Sequence, residues 1–336
     1  MKKIIAVFLL TVLALSDASA QSKVGTSAAP FLGIPIGPRG IALGGAFVAI
    51  ANDASALYYN PGAISQPGFS QVLVSHTNWL VETDFDWVGV MVNLGDGSAV
   101  GVNVTQLNYG EELLTTEAIQ NGTDATWTAT DLAVGLSYAR NLTDKFSIGG
   151  TAKYIQQRIW NESASSMALD IGLKYVTDFN GLTIGMSIAN FGGDMKLDGK
   201  DLYTNHDAEP DNSGNNPTIV AVYKTEEWPL PLLFRAGISI DAFKSDDLRF
   251  TVAADALRPS DSAEILNVGG ELAWLDMIFL RGGLKSLGLP DSEETFTLGG
   301  GAKYEVTGAN VVSFDFSHQE FGKFGGIQSF SIGVTF

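Results

Sequence analysis

This chain has few residues that could form a catalytic site, since it contains three histidines, no cysteine and only scattered carboxylates. His76, His206 and His318 lie far apart in sequence, and none has the spacing of a zinc site. Without cysteine there is no thiolate metal centre, disulfide or sulfur nucleophile. The loop 201–216 is acidic, yet its Gly214 comes too late for a calcium-binding EF-hand loop. The sequence therefore predicts a protein that is not an enzyme, with no catalytic residue, no metal and no cofactor.

Charged residues instead alternate with apolar ones along several stretches. In 167–175, Met167, Leu169 and Ile171 share one side of an extended chain, whereas Asp170 and Lys174 share the other. The charges that this pattern places on the polar side include Asp170, Lys174, Arg235, Arg249, Asp255, Glu271, Arg281 and Lys303. These charges either form a selective path or pair with one another to hold an inner segment. The mixture of signs favours the structural alternative.

Period-two alternation from about residue 71 predicts fourteen strands with short turns at every second connection. The other connections are longer and more polar, notably 108–128 and 192–229, and we assign Thr218–Lys224 to the second of these loops. An arginine or lysine facing lipid at mid-membrane costs about 2–4 kcal/mol, so the charged side must face a wet interior. The predicted fold is all-β, a transmembrane antiparallel barrel of about 14 strands.

The two ends of the chain carry further signals. Residues 1–20 combine two lysines, a short apolar run and small residues, which is typical of a secretory signal peptide. At the other end, alternation in the last strand stops at Phe336, and a terminal aromatic residue resembles the signal read by the barrel assembly machinery. With 20 basic against 37 acidic residues, the net charge of -17 argues against a nucleic-acid partner.

Residues 37–64 are apolar and small and do not alternate. The sequence Asn60-Pro61-Gly62 is a strong turn signal, because proline restricts φ and glycine accepts positive φ. A segment this apolar needs to be buried, and the nearest place for it is the lumen of the predicted barrel. We therefore divide the chain into a signal peptide (1–20), an N-terminal lumenal plug or hatch (21–70) and a barrel (71–336).

The block 39–62 resembles the start of the PorV/PorQ family, which belongs to the wider FadL-like group of outer-membrane barrels. The residues that carry the resemblance are Arg39, Gly40, Gly44, Gly45, Asp53, Asn60, Pro61 and Gly62. FadL-like transporters commonly have Asn-Pro-Ala where this chain has Gly62. The resemblance implies localisation in the bacterial outer membrane, with membrane lipid and the barrel assembly machinery as partners.

Two functions follow from the resemblance, and a third from the loops. A PorV-type protein assists type IX-like secretion by binding exported signal domains, together with other proteins of the secretion machinery. A FadL-type channel takes up hydrophobic small molecules such as long-chain fatty acids, and its candidate ligand contacts here are Phe47, Leu57 and Tyr58. A structural or surface-adhesive barrel would act through the loops 108–128 and 192–229.

Overall fold

The computed structural model describes residues 24–212, 214, 216, 218–289, 292–306 and 310–336. The predicted signal peptide, residues 1–20, lies outside these ranges. Among the described residues, no helix has both the length and the apolar character needed to cross a membrane.

Extended strands dominate the described chain from residue 71 onward. In chain order they are β1 (Gln71–Asn78), β2 (Asp84–Asn93), β3 (Ser98–Leu113), β4 (Thr126–Thr143), β5 (Phe146–Ile159), β6 (Glu162–Val176), β7 (Thr183–Gly192), β8 (Met195–Lys196), β9 (Asp198–Gly199), β10 (Tyr203–His206), β11 (Ile219–Val222), β12 (Glu227–Trp228), β13 (Leu233–Lys244), β14 (Leu248–Pro259), β15 (Ile265–Trp274), β16 (Ile278–Leu287), β17 (Phe296–Glu305), β18 (Val311–Glu320) and β19 (Gly326–Thr335).

The fourteen longest of these described strands form one closed antiparallel barrel. β1 to β7 and β13 to β19 each pair with their sequence neighbours, and β7 pairs directly with β13. The barrel closes where β1 pairs with β19, with Gln71 opposite Thr335. Closure leaves no unpaired strand edge, which is a requirement for a sheet surrounded by lipid. The prediction of a fourteen-stranded transmembrane barrel is confirmed.

The two faces of the wall follow the predicted alternation. In β6, Leu169 is 53% exposed, whereas its neighbours Ala168 and Asp170 are each 3% exposed. The outward face carries valine, leucine, isoleucine and aromatic side chains that only lipid would cover. The polar face points inward, where most of its charged side chains are buried.

Both ends of the barrel largely follow the expected loop asymmetry. The turn end has short connections, such as those after β2 and β15, and it also holds residues 70 and 336. At the loop end, the connection between β7 and β13 is the longest and contains β8 to β12. Within it, Ile219–Val222 pairs only with Tyr203–His206, so the assignment of Thr218–Lys224 to a loop is confirmed. Contrary to the general pattern, only two residues link β5 to β6 at this end.

Short helices precede the barrel and also occur in its loops. In the N-terminal segment (residues 24–70) a 3-10 helix (Pro30–Gly33) is followed by α1 (Pro38–Ala42), α2 (Ala56–Tyr59) and a second 3-10 helix (Pro61–Ala63). Proline opens three of these helices, where its missing N–H has no intrahelical acceptor to lose. Three further 3-10 helices lie at Leu80–Glu82, Lys200–Leu202 and Gly322–Phe324.

The facing of β13 can be tested with two adjacent positions. Ile238 is 49% exposed on the outer face, whereas Ser239 is 6% exposed and adjoins a polar cavity inside the barrel. Ile238→Arg should destabilise the inserted barrel by about 2–4 kcal/mol, because its guanidinium would lie in lipid. Ser239→Arg, the matched control, should lose less stability, because its guanidinium would enter this polar cavity, which Asp241 and Asp276 also line. Heat-modifiable migration in electrophoresis measures assembly, and equal losses for the two variants would contradict the facing.

Candidate functional site

The N-terminal segment lies against the inner face of the barrel wall. At the loop end, the backbone N–H of Ala28 donates to the Pro229 carbonyl, at 2.9 Å. At the turn end, Ser70 and Phe336 exchange backbone hydrogen bonds of 2.9 and 3.1 Å. Between these ends, apolar side chains such as Phe31, Phe47 and Leu57 are almost fully buried. The hydrophobic core of the protein therefore sits inside the barrel, between this segment and the wall.

A buried glutamate of the wall binds three arginines, one of which, Arg39, belongs to the N-terminal segment. Glu271 on β15 is fully buried, and its Oε2 accepts hydrogen bonds from Arg39 Nε at 3.0 Å and from Arg281 Nε at 2.8 Å. Arg249 Nη1 lies 3.5 Å from Glu271 Oε1. Arg281 also pairs with Asp315 on β18. Because Glu271 is shielded from solvent, it depends on these cationic partners for its stability.

Within the segment, Arg39 also binds Asp53. Its Nη1 lies 2.8 Å from Asp53 Oδ2, and its guanidinium lies over the Phe47 ring at 5.3 Å. Burial on its own would raise the pKa of Asp53, but Arg39 and Ser55 outweigh burial and hold it below its usual range. Asp53 therefore stays ionised, and Arg39 bridges it to Glu271 on the wall.

A second wall carboxylate holds the backbone of the segment. Asp255 Oδ2 on β14 accepts hydrogen bonds from the backbone N–H groups of Phe47 and Val48, at 2.7 and 2.8 Å. Lys174 on β6 donates from Nζ to the Ala51 carbonyl at 2.6 Å. These bonds satisfy backbone groups that no helix or strand of the segment satisfies.

The turn Asn60-Pro61-Gly62 is fixed by the Asn60 side chain. Its Nδ2 donates to the carbonyls of Val48 and Leu173, both at 2.9 Å, and its Oδ1 accepts from Gly62 N at 3.1 Å. A Cβ at Gly62 would lie 2.4 Å from the Gly172 carbonyl oxygen of β6. Glycine in place of the alanine of the FadL-like motif is therefore required by the packing of this turn on the wall.

Glycines at a second point allow the segment to contact the wall backbone. Gly44 has φ +68°, and a Cβ on Gly283 of β16 would lie 2.3 Å from Gly44 N. A Cβ on Gly269 of β15 would likewise lie 2.4 Å from the Leu43 carbonyl oxygen. Gly269 and Gly283 are therefore points where the backbone of the wall directly contacts the backbone of the segment.

Other motif residues pack within the segment. Gly40 lies under the Tyr59 ring, since a Cβ there would be 2.6 Å from the phenol oxygen. Gly45 adopts a φ of +80° and faces Asn267 of β15. Of the candidate ligand contacts, Phe47 packs edge-on against Tyr59, and Leu57 packs on Gly101 of β3. Tyr58 alone of the three lines one of the cavities described below.

A largely apolar cavity of about 300 Å³ opens on the loop-end side of the segment. Its walls include Ile34, Tyr58, Tyr59, Trp79, Leu233, Leu257 and Ile265, with Arg235 of β13 among them. The Arg235 guanidinium lies over the rings of Tyr58 and Tyr59, at 5.0 and 5.7 Å from their centroids. This is the surface between segment and wall where a small apolar molecule could be held.

Two polar cavities lie on the turn-end side. One, of about 430 Å³, is lined by Lys174, Lys303, Arg249 and Asp241. The other, of about 230 Å³, shares Arg39 and Lys303 with it. Arg39 lines both of these cavities and is not among the residues that line the apolar cavity. Lys303 is exposed here, unlike the other predicted inner charges, and it lies 5.1 Å from the Phe279 ring.

A further buried charge pair lies where β6 meets β7. Asp170 Oδ2 lies 2.9 Å from Lys153 Nζ, and its Oδ1 accepts from the backbone N–H of Asn190, which has φ +65°. The register between β6 and β7 shifts at this point. Asp170 thus supports an irregular wall and does not contact the N-terminal segment through the bonds described.

Several contact residues were not identified from the sequence. Ser187 donates to the Tyr59 carbonyl and Thr297 to the Ala42 carbonyl, both at 2.9 Å, and Gln71 accepts from Ala54 N at 2.7 Å. Small polar residues are common on a lumenal face, so no sequence signal separates these from their neighbours. No cluster of three or more histidine, aspartate or glutamate side chains suited to a metal occurs in the described part of the chain.

Comparisons with known proteins agree with this architecture. The family model "Type IX secretion system protein PorV" matches residues 17–210, more than half of the chain. No curated protein matches the sequence significantly.

Solved structures share the fold at low sequence identity. The toluene transporter TbuX of Ralstonia pickettii is 13% identical, with a TM-score of 0.52 over 89% of this chain and 97% of its own. The monoaromatic hydrocarbon channel CymD is 12% identical, with a TM-score of 0.55 over 89% and 96%. A FadL homologue of Pseudomonas aeruginosa is 14% identical, with a TM-score of 0.50 over 89% and 97%. The chain is therefore an outer-membrane β-barrel of FadL-like fold, and it belongs to the PorV family of type IX secretion proteins.

Proposed function

We propose that this protein is a non-enzymatic component of type IX-like secretion that assists surface export by binding exported proteins. The family match over residues 17–210 carries the proposal, because it includes the N-terminal segment and the first seven barrel strands. The other partners would be outer-membrane lipid, the barrel assembly machinery acting on Phe336 and proteins of the secretion machinery.

The anchoring of the N-terminal segment supports binding over conduction. Its hydrogen bonds reach inner residues spread around the wall, on β6 (Lys174), β7 (Ser187), β14 (Asp255), β15 (Glu271) and β17 (Thr297). A segment held on so many strands favours a lumen that stays filled. We therefore propose that residues 21–70 are a plug, that 71–336 are its wall, and that the inner charges pair structurally.

Exposed apolar side chains at the loop end support a surface for protein binding. The β10–β11 hairpin lies outside the barrel and presents Tyr203, Val220 and Tyr223, which are 57%, 68% and 64% exposed. Aromatic and branched side chains on a strand pair can dock an incoming polypeptide. This hairpin is where we expect exported proteins to bind.

Replacing residues 203–223 with a short glycine-serine linker should reduce surface export while leaving the barrel assembled. The hairpin makes no ladder pairing with the wall, so its removal should not disturb closure. Quantitative proteomics of the cell surface, compared with cells that lack the whole chain, measures the effect. Shortening 115–124 is the matched control. If cells without the chain show an unchanged surface proteome, the secretion role is excluded and an adhesive or structural role is favoured.

The plug proposal predicts unequal effects of two neighbouring substitutions. Glu271→Gln leaves the buried Arg281 and the partly exposed Arg39 and Arg249 with a neutral partner, and it should destabilise the protein by about 3–5 kcal/mol. Asp276→Asn removes an Arg249 partner whose side chain is 71% exposed, and should cost less than about 1 kcal/mol. Hydrogen exchange of residues 37–53 and conductance in planar bilayers should rise only in the first variant. Unchanged exchange in Glu271→Gln would contradict the anchoring.

A second candidate function is uptake of hydrophobic small molecules, and the apolar cavity beside Tyr58 favours it. Ile265→Trp should fill that cavity and lower the rate at which cells take up a labelled neutral hydrocarbon. Leu266→Trp, on the exposed outer face of the same strand, is the control. Equal uptake in cells with and without the protein would exclude this function.

A further inference from the structure

The apolar cavity contains a cation without a full set of partners. Arg235 is only 3% exposed, and its Nη1 has no hydrogen-bond partner in the described chain. In the cavity wall, its guanidinium lies over the faces of Tyr58 and Tyr59. A buried guanidinium with an unused N–H is energetically costly unless something accepts that hydrogen bond. We propose that this cavity binds a compact carboxylate ligand, whose anionic group pairs with Arg235 and whose apolar body contacts the surrounding side chains.

The two tyrosines beside Arg235 do not act as its anionic partner. Burial raises the pKa of Tyr58, although Arg235 opposes the rise, and burial also raises the pKa of Tyr59. Both phenols are therefore neutral, and their hydroxyls donate to the carbonyls of Leu32 and Ile36. Neither tyrosine supplies a counter-charge to Arg235.

The two carboxylates at the mouth of the cavity are already engaged. At the mouth, Glu294 pairs with Lys285, and Asp261 accepts a hydrogen bond from Ser27. Asp255 lies on the adjacent strand β14, and one of its oxygens holds the Phe47 and Val48 backbone. Its Oδ1 has no partner in the described chain, which makes Asp255 the internal competitor for Arg235. If Asp255 neutralises Arg235, an anionic ligand gains no advantage over a neutral one.

The size of the cavity restricts the ligand. A volume of about 300 Å³ lies at the lower end of small-molecule sites, so an aryl or short-chain acid fits better than a long acyl chain. The flat guanidinium can bind both oxygens of a carboxylate, a geometry that a neutral hydrocarbon cannot use. Charge therefore selects the ligand, and the apolar wall adds affinity without specificity.

This inference rests on the second proposed function only in using the same cavity. The experiment compares phenylbutyrate with its neutral analogue phenylbutyramide, by titration calorimetry on the full mature chain in micelles of an uncharged maltoside. The acid should bind about tenfold or more tightly than the amide, since a hydrogen bond between charged groups is worth roughly that factor. Arg235→Met should abolish the preference.

Two further variants keep the test decisive. Arg258→Met, a control on β14 whose arginine side chain is 69% exposed, should retain the preference. Ile265→Trp should weaken binding of both compounds, and it decides the location of the site if Arg235→Met fails to fold. Equal affinities for acid and amide would overturn the inference and leave the uptake candidate standing. If neither compound binds, both the inference and the uptake candidate are overturned. If Ile265→Trp binds both compounds fully, the ligand site lies elsewhere and the inference is overturned.

Discussion

The pairing of Arg39 with Glu271 is the interaction on which the inside of this barrel depends. Glu271 is fully buried, and it is bound by arginines from the N-terminal segment and from two other wall strands. A buried carboxylate is stabilised by such partners, and Glu271 lies between guanidinium groups that would otherwise repel one another. The segment and the wall therefore stabilise one another.

A barrel of this size must also solve a packing problem. Its inner face carries polar side chains, yet the segment inside it is apolar and small. In the structure, polar wall residues bind the backbone of the segment, and apolar wall residues contact its side chains at other positions. Carbonyls and N–H groups of the segment meet Lys174, Asp255, Ser187 and Thr297, whereas its apolar side chains form a core with inward residues such as Trp87 and Met91. Backbone contact at Gly172 and Gly283 removes the remaining space between the two layers.

The segment divides the lumen into two unlike environments. Polar cavities rich in cationic side chains lie toward the turn end, and an apolar cavity with Arg235 lies toward the loop end. Tyr58 and Tyr59 stand in front of Arg235, so this cation faces aromatic rings, whereas Arg39, Arg249 and Arg281 each contact the Glu271 carboxylate. This difference is why the loop-end cavity is suited to an amphiphilic molecule, while the exposed hairpin beyond it is suited to a polypeptide.

Much of the fold was predictable from the sequence. An alternation of apolar and polar residues can be seen in neighbouring residues alone, and the cost of placing charge in lipid then determines which face points inward. In β6 and β13 the structure confirms both the alternation and the inward direction of the polar face. Aromatic residues were less informative. Phe85 and Trp87 lie on the inner side of the wall and are buried, because they pack in the core that the N-terminal segment forms with the wall. A local pattern cannot show that an interior is partly apolar.

By itself the sequence determined the strand number, the inward set of charges and the apolar block 37–64. Each of these follows from the pattern of neighbouring residues, or from whether a face contacts lipid or water. The tertiary structure decided the pairings. Nothing in sequence spacing joins Arg39 to Glu271, 232 positions away, or leaves Arg235 against two tyrosines. Such contacts follow from strand register and from the path of the segment through the barrel, which are set by all of the packing interactions at once.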